Sequence, residues 1–199
     1  MNVFTYNNEK TELNLKNPDK VSLRLKFNIE KLKIHIYPVK GLSESMLADT
    51  IFPALIVCSS RWPRLNKARF SDNFCALHFQ DIIDIKDDDA FQMAQAEMIR
   101  DFLIGLPEEI SDLFICCDGG DARSPSIAAA IMRFIGRSEE KVWNNPFYTP
   151  NILVYFRLCC AFGIQISWEE ALEKKKQNDL AYRNAQENCE TSYERWEIL

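Results

Sequence analysis

Only two histidines, His35 and His78, occur in 199 residues. Both sit in strand-like stretches, where a packed and hydrogen-bonded structural role is expected. No cysteine spacing of the metal-ligand kind accompanies them, so neither a metal nor another cofactor is expected. Nor does any apolar run approach the roughly 18–20 residues needed to cross a bilayer, and the polar N-terminus lacks a signal-peptide pattern. Basic surplus is missing too. The net charge is −5, which argues against nucleic acid or an anionic membrane as a partner. There is no internal repeat, no linker-like stretch and no C-x-x-C pair. The seven cysteines are odd in number, with Cys116-Cys117 and Cys159-Cys160 adjacent. They read as reduced thiols of a cytoplasmic protein.

What the chain has is an ordinary globular balance, with 47% hydrophobic and 27% charged residues, and length enough for one core. Residues 1–20 read as a polar lead-in. Val21 to Phe27 alternates apolar and polar like an edge strand, and Leu32 to Tyr37 alternates again before Pro38. Ser43 to Asp49 suits a short helix. Pro53 to Cys58 is a continuous apolar run, the pattern of a strand buried on both faces, and Phe74 to Phe79 is the next strand. Phe91, Ala94, Met98, Ile99 and Phe102 recur at helical spacing towards Gly105-Leu106-Pro107. Asp87, Asp88 and Asp89 read as the solvated start of that helix. Asn144 to Pro150 is a loop, Ile152 to Phe162 a buried helix, and Ser167 to Glu170 a capping box heading a charged helix to about Asn184. Strands alternating with helices predict an α/β fold with a central, mostly parallel sheet flanked by helices on both faces. One domain is expected over 1–199: a core of about 30–165, an N-terminal extension (1–29) with an edge strand, and a C-terminal helical tail (166–199).

The stretch with chemistry in it begins at Leu113. A short apolar run to Cys116 reads as a buried strand, a loop with two glycines follows, and Ser124-Pro125 opens an alanine-rich helix that Gly136 stops. Ser124 suits an N-cap and Pro125 the first helical position. Inside lies Cys117-x-x-Gly120-x-x-Arg123-Ser124. Strand, tight loop and helix N-terminus form an oxyanion-holding geometry, with backbone N–H groups pointing inward and the helix dipole adding positive charge. A thiol there is driven towards thiolate, and an arginine can grip two oxygens of a tetrahedral anion.

Cys117, Gly120, Arg123 and Ser124 match C-x-x-G-x-x-R-[S/T], the mark of the protein tyrosine phosphatase superfamily. The continuation Ser-Pro-Ser-Ile-Ala-Ala-Ala resembles bacterial dual-specificity-type members. The resemblance spans roughly residues 30 to 165, most strongly at the loop. It implies a dual-specificity-phosphatase-like sheet and a metal-free hydrolysis of a phosphorylated protein or small phosphomonoester. Cys117 would be the nucleophile. Asp118, Gly119, Gly120, Asp121, Ala122 and Arg123 would bind phosphate, and Ser124 would assist the sulfur as leaving group. The family also needs an aspartate upstream to protonate the departing oxygen. The reading His78-Phe-Gln-Asp-Ile-Ile-Asp84 favours Asp84, 33 residues before Cys117, although Ile82-Ile83 replaces the usual Trp-Pro. Asp81, directly after the strand, competes with it.

The loop departs from the family at Cys116, where histidine is usual, and in its two aspartates. A carboxylate ~7 Å from the sulfur, at an effective dielectric of ~20, disfavours the thiolate by roughly 2 kcal/mol. Turned inward, Asp118 and Asp121 would oppose phosphate; turned outward, they would leave the site intact. Two other readings therefore stand beside the phosphatase. One is a catalytically weak relative that binds a phosphorylated protein, and the other is a thiol-redox protein using Cys116 and Cys117. Trp143, Phe147, Tyr148 and Tyr155 read as core rather than as a pocket for a phenyl ring. Nothing in the sequence sets the oligomeric state.

Overall fold

The computed structural model describes residues 25–40, 53–61 and 73–188. Among them lie β1 (Lys33–Pro38), β2 (Leu55–Ser59), β3 (Phe74–His78), α1 (Met93–Gly105) and β4 (Asp112–Cys117). Then come α2 (Arg123–Phe134), α3 (Glu140–Trp143), α4 (Ile152–Ala161) and α5 (Trp168–Asn188). The strands form one sheet in the order β1-β4-β2-β3, and every neighbouring pair is parallel. The chain is thus an α/β protein.

Apart from Ser59 and Asp112 at their ends, the two central strands are apolar because both of their faces are covered. Alternation sends Ile56, Cys58, Leu113, Ile115 and Cys117 to one face, where they join the main core. Leu55, Val57, Phe114 and Cys116 go to the other, in a smaller cluster with Tyr37 and Val39 against it. Most of the buried apolar residues of α1 to α5 belong to the main core, so these helices cover that face, while Val39 packs against the other. The helix expected over Ser43 to Asp49 lies outside the described residues.

α2 packs against β4 and β1 on one side and α4 on the other. Its run Ala128 to Ala130 is fully buried, and small side chains let the helix axis approach both layers closely. It ends at Gly136, whose φ of 76° is the left-handed conformation that a helix C′ position favours. Glu139, nearly buried, accepts from Tyr155 Oη at 2.8 Å and pairs with Lys174 at 3.0 Å, fixing α5 to the core.

Three expectations need correction. Of the edge strand over Val21 to Phe27, residues 21–24 lie outside the described residues, and Leu25 to Phe27 form no strand. Phe27 instead turns into the core and a turn at Asn28 follows, with Lys31 N donating to Asn28 O at 3.2 Å. Asp87 to Asp89 precede α1 rather than starting it, because Gln95 Oε1 caps the helix by accepting from Gln92 N at 2.7 Å. Ser124 is not the N-cap of α2. That position is Ala122, and the Ser124 hydroxyl is engaged elsewhere.

Candidate active site

β4 ends at Cys117, and α2 begins six residues later at Arg123. The loop between them lies at the C-terminal edge of the sheet, where parallel α/β folds bind ligands. Gly120 takes φ 73°, which a side chain would resist. The Asp121 carboxylate lies across the open face of Gly119, where a Cβ would collide with it.

The loop carbonyls are tied outward. Asp121 O accepts from Thr149 N at 2.7 Å. Ala122 O accepts from Ser126 Oγ at 2.8 Å and, more loosely, from Asn151 N at 3.5 Å. Because a trans peptide points its N–H opposite its C=O, these anchors turn the N–H groups of Ala122 and Arg123 the other way, into the loop.

Cys117 Sγ accepts from Gly120 N at 3.1 Å and from Ser124 Oγ at 3.0 Å. The neighbouring Cys58 thiol, those Ser124 contacts and the Arg123 charge hold the Cys117 pKa at about 6, against the burial that would raise it. At neutral pH the sulfur is therefore mostly thiolate. Cys116, on the opposite face, is pushed up by burial and stays a neutral thiol.

Arg123 is almost fully buried, with its guanidinium carbon 5.7 Å from the Phe79 ring centroid. Its Nη1 donates to Phe79 O at 2.9 Å and to Ser60 Oγ at 3.3 Å, and its Nη2 donates to Asp118 Oδ2 at 2.6 Å. The same Asp118 oxygen accepts from Ser60 N at 2.9 Å and Ser60 Oγ at 2.6 Å, while its other oxygen accepts from Ser59 Oγ. Ser60 and Asp118 thus occupy the end of the guanidinium. Of its five N–H donors, three are used. The edge formed by Nε and the second Nη2 hydrogen is left over, and Nε is buried with no partner among the described residues. An unmet donor on a buried cation costs about 1–3 kcal/mol or more, and an anion presenting two oxygens would satisfy that edge.

Asp118 therefore turns towards Arg123 and Ser59-Ser60. Partial burial would raise its pKa, but the hydrogen bonds from Ser59, Ser60 and Arg123 overcome this and hold it well below the usual carboxylate range. Its charge is spent on the arginine.

The two acid candidates differ in attachment. Asp81 Oδ1 accepts from Asn151 Nδ2 at 2.7 Å, and the Asn151 backbone reaches the loop at Ala122 O. Asn151 also caps α4, its Oδ1 accepting from Leu153 N and Val154 N. Asp84 is exposed, and its Oδ1 accepts from Lys86 N at 3.0 Å within its own turn.

Ser59, Ser60, Phe79, Asn151 and Cys58 were missed in the sequence. Ser59-Ser60 is a polar pair at the end of an apolar strand, and Asn151 follows Pro150 at a helix start. Those are the signals that could have found them. Trp143, Tyr148 and Tyr155 are core, Phe147 is exposed, and His35 is structural: it stacks on Phe114 at 4.4 Å and pairs with Asp112 at 2.8 Å. Among the described residues no group of three or more His, Cys, Asp or Glu could hold a metal ion, and no helix is long and apolar enough to cross a membrane.

The fold and the loop together define an α/β protein with a thiolate and a half-satisfied arginine at the C-terminal edge of its sheet. Compared with known proteins, the chain matches no family model and has no significant match among curated proteins.

Proposed function

We propose that this chain is a cysteine-dependent phosphomonoester hydrolase of the protein tyrosine phosphatase type, with a dual-specificity-phosphatase-like fold. The observation that carries the reading is Arg123 Nε, buried and without a partner among the described residues, in the same loop as a thiolate. The substrate is a phosphorylated protein or a small phosphomonoester. The six described cysteines are all free, which supports a reducing, cytoplasmic setting.

In this mechanism two phosphoryl oxygens lie against Arg123 Nε and Nη2, and the inward N–H groups of Ala122 and Arg123 meet the others. Cys117 Sγ attacks phosphorus as the ester P–O bond breaks, and the departing oxygen takes a proton from Asp81. Water then attacks the cysteinyl phosphate, Asp81 recovers its proton, and the thiolate leaves with the Ser124 hydroxyl donating to it. We assign the acid to Asp81 rather than to Asp84 because Asn151 ties it to the loop, whereas the Asp84 carboxylate is committed to its own turn. The proton transfer is worth about 10²–10⁴ in rate.

Turnover of p-nitrophenyl phosphate by the native protein beside Cys117→Ser tests the reading. Turnover that vanishes in the variant supports it. Binding of vanadate or a phosphopeptide without any turnover would replace it with the binding-module reading.

A further inference from the structure

Between β3 and α1 the chain makes a closed excursion from Gln80 to Gln92, with Asp81 at its start. It contains no helix or strand of its own, so its shape depends on what ties it together. Gln80 N donates to Asp89 O at 2.8 Å and joins the two ends. Inside, Gln92 Nε2 donates to Asp87 O and Ala90 O, both at 2.9 Å, and more loosely to Asp88 O at 3.3 Å. The excursion is then gripped twice by α4. At the helix start, Asn151 Nδ2 donates to Asp81 Oδ1 at 2.7 Å and to Ile82 O at 3.2 Å. Further along the same helix, Arg157 Nη2 donates to Ile85 O at 3.1 Å, and Nη1 donates to Phe91 O and, at 3.1 Å, to Gln92 Oε1. One half-buried guanidinium therefore bridges the middle of the excursion to its end. All three acceptors are neutral oxygens, and burial pushes the pKa of the guanidinium down. A planar fork with several donors can span such spread acceptors at once, whereas a lysine ammonium is a single point.

We propose that Arg157 is a positioning residue for the general acid, fastening the excursion to α4 so that Asp81 stands at the loop before a ligand arrives. It touches neither the substrate nor the reacting atoms. The inference rests on the phosphatase reading and on Asp81 as its acid. Without the guanidinium, Ile85 to Gln92 lose their hold on α4, and the Asn151 grip alone keeps Asp81 near the departing oxygen. A small misplacement of a catalytic group is costly, because proton transfer needs the two atoms within hydrogen-bond reach. Phosphate binding depends on Arg123 and the loop amides, which Arg157 does not contact. The loss therefore falls on kcat rather than on KM, and it grows with the leaving group's need for a proton.

The test compares phenyl phosphate, whose phenoxide leaves poorly without a proton, with p-nitrophenyl phosphate, whose phenoxide leaves well. Arg157→Met should lower kcat on phenyl phosphate roughly tenfold or more, lower it less on p-nitrophenyl phosphate, and leave KM within about twofold. Arg157→Lys should fall between this variant and the native protein. In an Asp81→Asn background, Arg157→Met should cost nothing further, because the group it positions is gone. Native kcat in Arg157→Met overturns the proposal. So does an equal loss on both substrates or a full further loss in the Asp81→Asn background, either of which would make the arginine structural only. If Arg157→Met does not fold, Arg157→Lys in both backgrounds decides. A native protein that turns over neither substrate defeats the phosphatase reading and this inference with it, whereas turnover indifferent to Arg157 defeats the inference alone.

Discussion

Ser124→Ala removes one hydroxyl from the Cys117 sulfur and leaves the backbone of α2 alone, because Ser124 does not cap that helix. A hydrogen bond to a charged group contributes about 1.5–3 kcal/mol. At about 1.4 kcal/mol per pKa unit, losing it raises the Cys117 pKa by roughly one to two units, from about 6 to about 7–8. At pH 6 the thiolate fraction would then fall from about half to between a tenth and a hundredth, so alkylation by iodoacetamide would slow about 5- to 50-fold. The assay is the pH dependence of that rate, or of thiolate absorbance. A stability change should accompany the shift. The folded pKa of Cys117 is depressed from 9.0 to about 6, so ionisation contributes stability above the unfolded value, and this is lost as pH falls through about 6. Ser124→Ala narrows that window from its lower end. A midpoint that stays near 6 in the variant would refute the claim that the hydroxyl holds the charge.

Three further outcomes follow from the same geometry. In a turnover profile, Asp81→Asn should abolish the alkaline limb and lower kcat about 10²–10⁴-fold, whereas Asp84→Asn should keep the limb; the reverse pattern would return the acid role to Asp84. Asp118→Asn leaves Arg123 without its carboxylate anchor, so phosphate or vanadate affinity should fall by roughly tenfold, the effect of about 1.4 kcal/mol. Affinity that rises instead would mean the Asp118 charge opposes the ligand directly. Glu139→Ala takes the carboxylate from Lys174 and from the buried Tyr155 hydroxyl, while Arg133 keeps Glu170, and urea denaturation should show a loss of roughly 2 kcal/mol; a loss under about 1 kcal/mol would mark the cluster as solvent-compensated.

The elements legible in the sequence are those whose signals are local. The apolar runs at Pro53 to Cys58 and Leu113 to Cys116 became the two central strands, and the Cys117-to-Ser124 spacing became a loop in which the Ser124 hydroxyl donates to the sulfur. What stayed hidden depends on register. Nothing local announces that Cys58 will pair with Cys117, or that the next residues, Ser59 and Ser60, will therefore meet Asp118 and take its charge from the loop. The two loop aspartates looked hostile to an anion because their directions are tertiary facts. The sequence favoured Asp84 over Asp81, and the contact that sets their attachments apart is equally tertiary, since Asn151 lies 70 residues beyond Asp81. Ser124 misled in a smaller way. Its position fits a cap, but a thiolate within reach is the stronger acceptor.

The most direct measurement is the mass of the protein quenched in acid during turnover of a phosphomonoester, with Asp81→Asn used to slow the breakdown of the intermediate. The account predicts a phosphoryl adduct on the Cys117 peptide that is absent from Cys117→Ser. Turnover with the phosphoryl group on another residue, or turnover retained without Cys117, would contradict it.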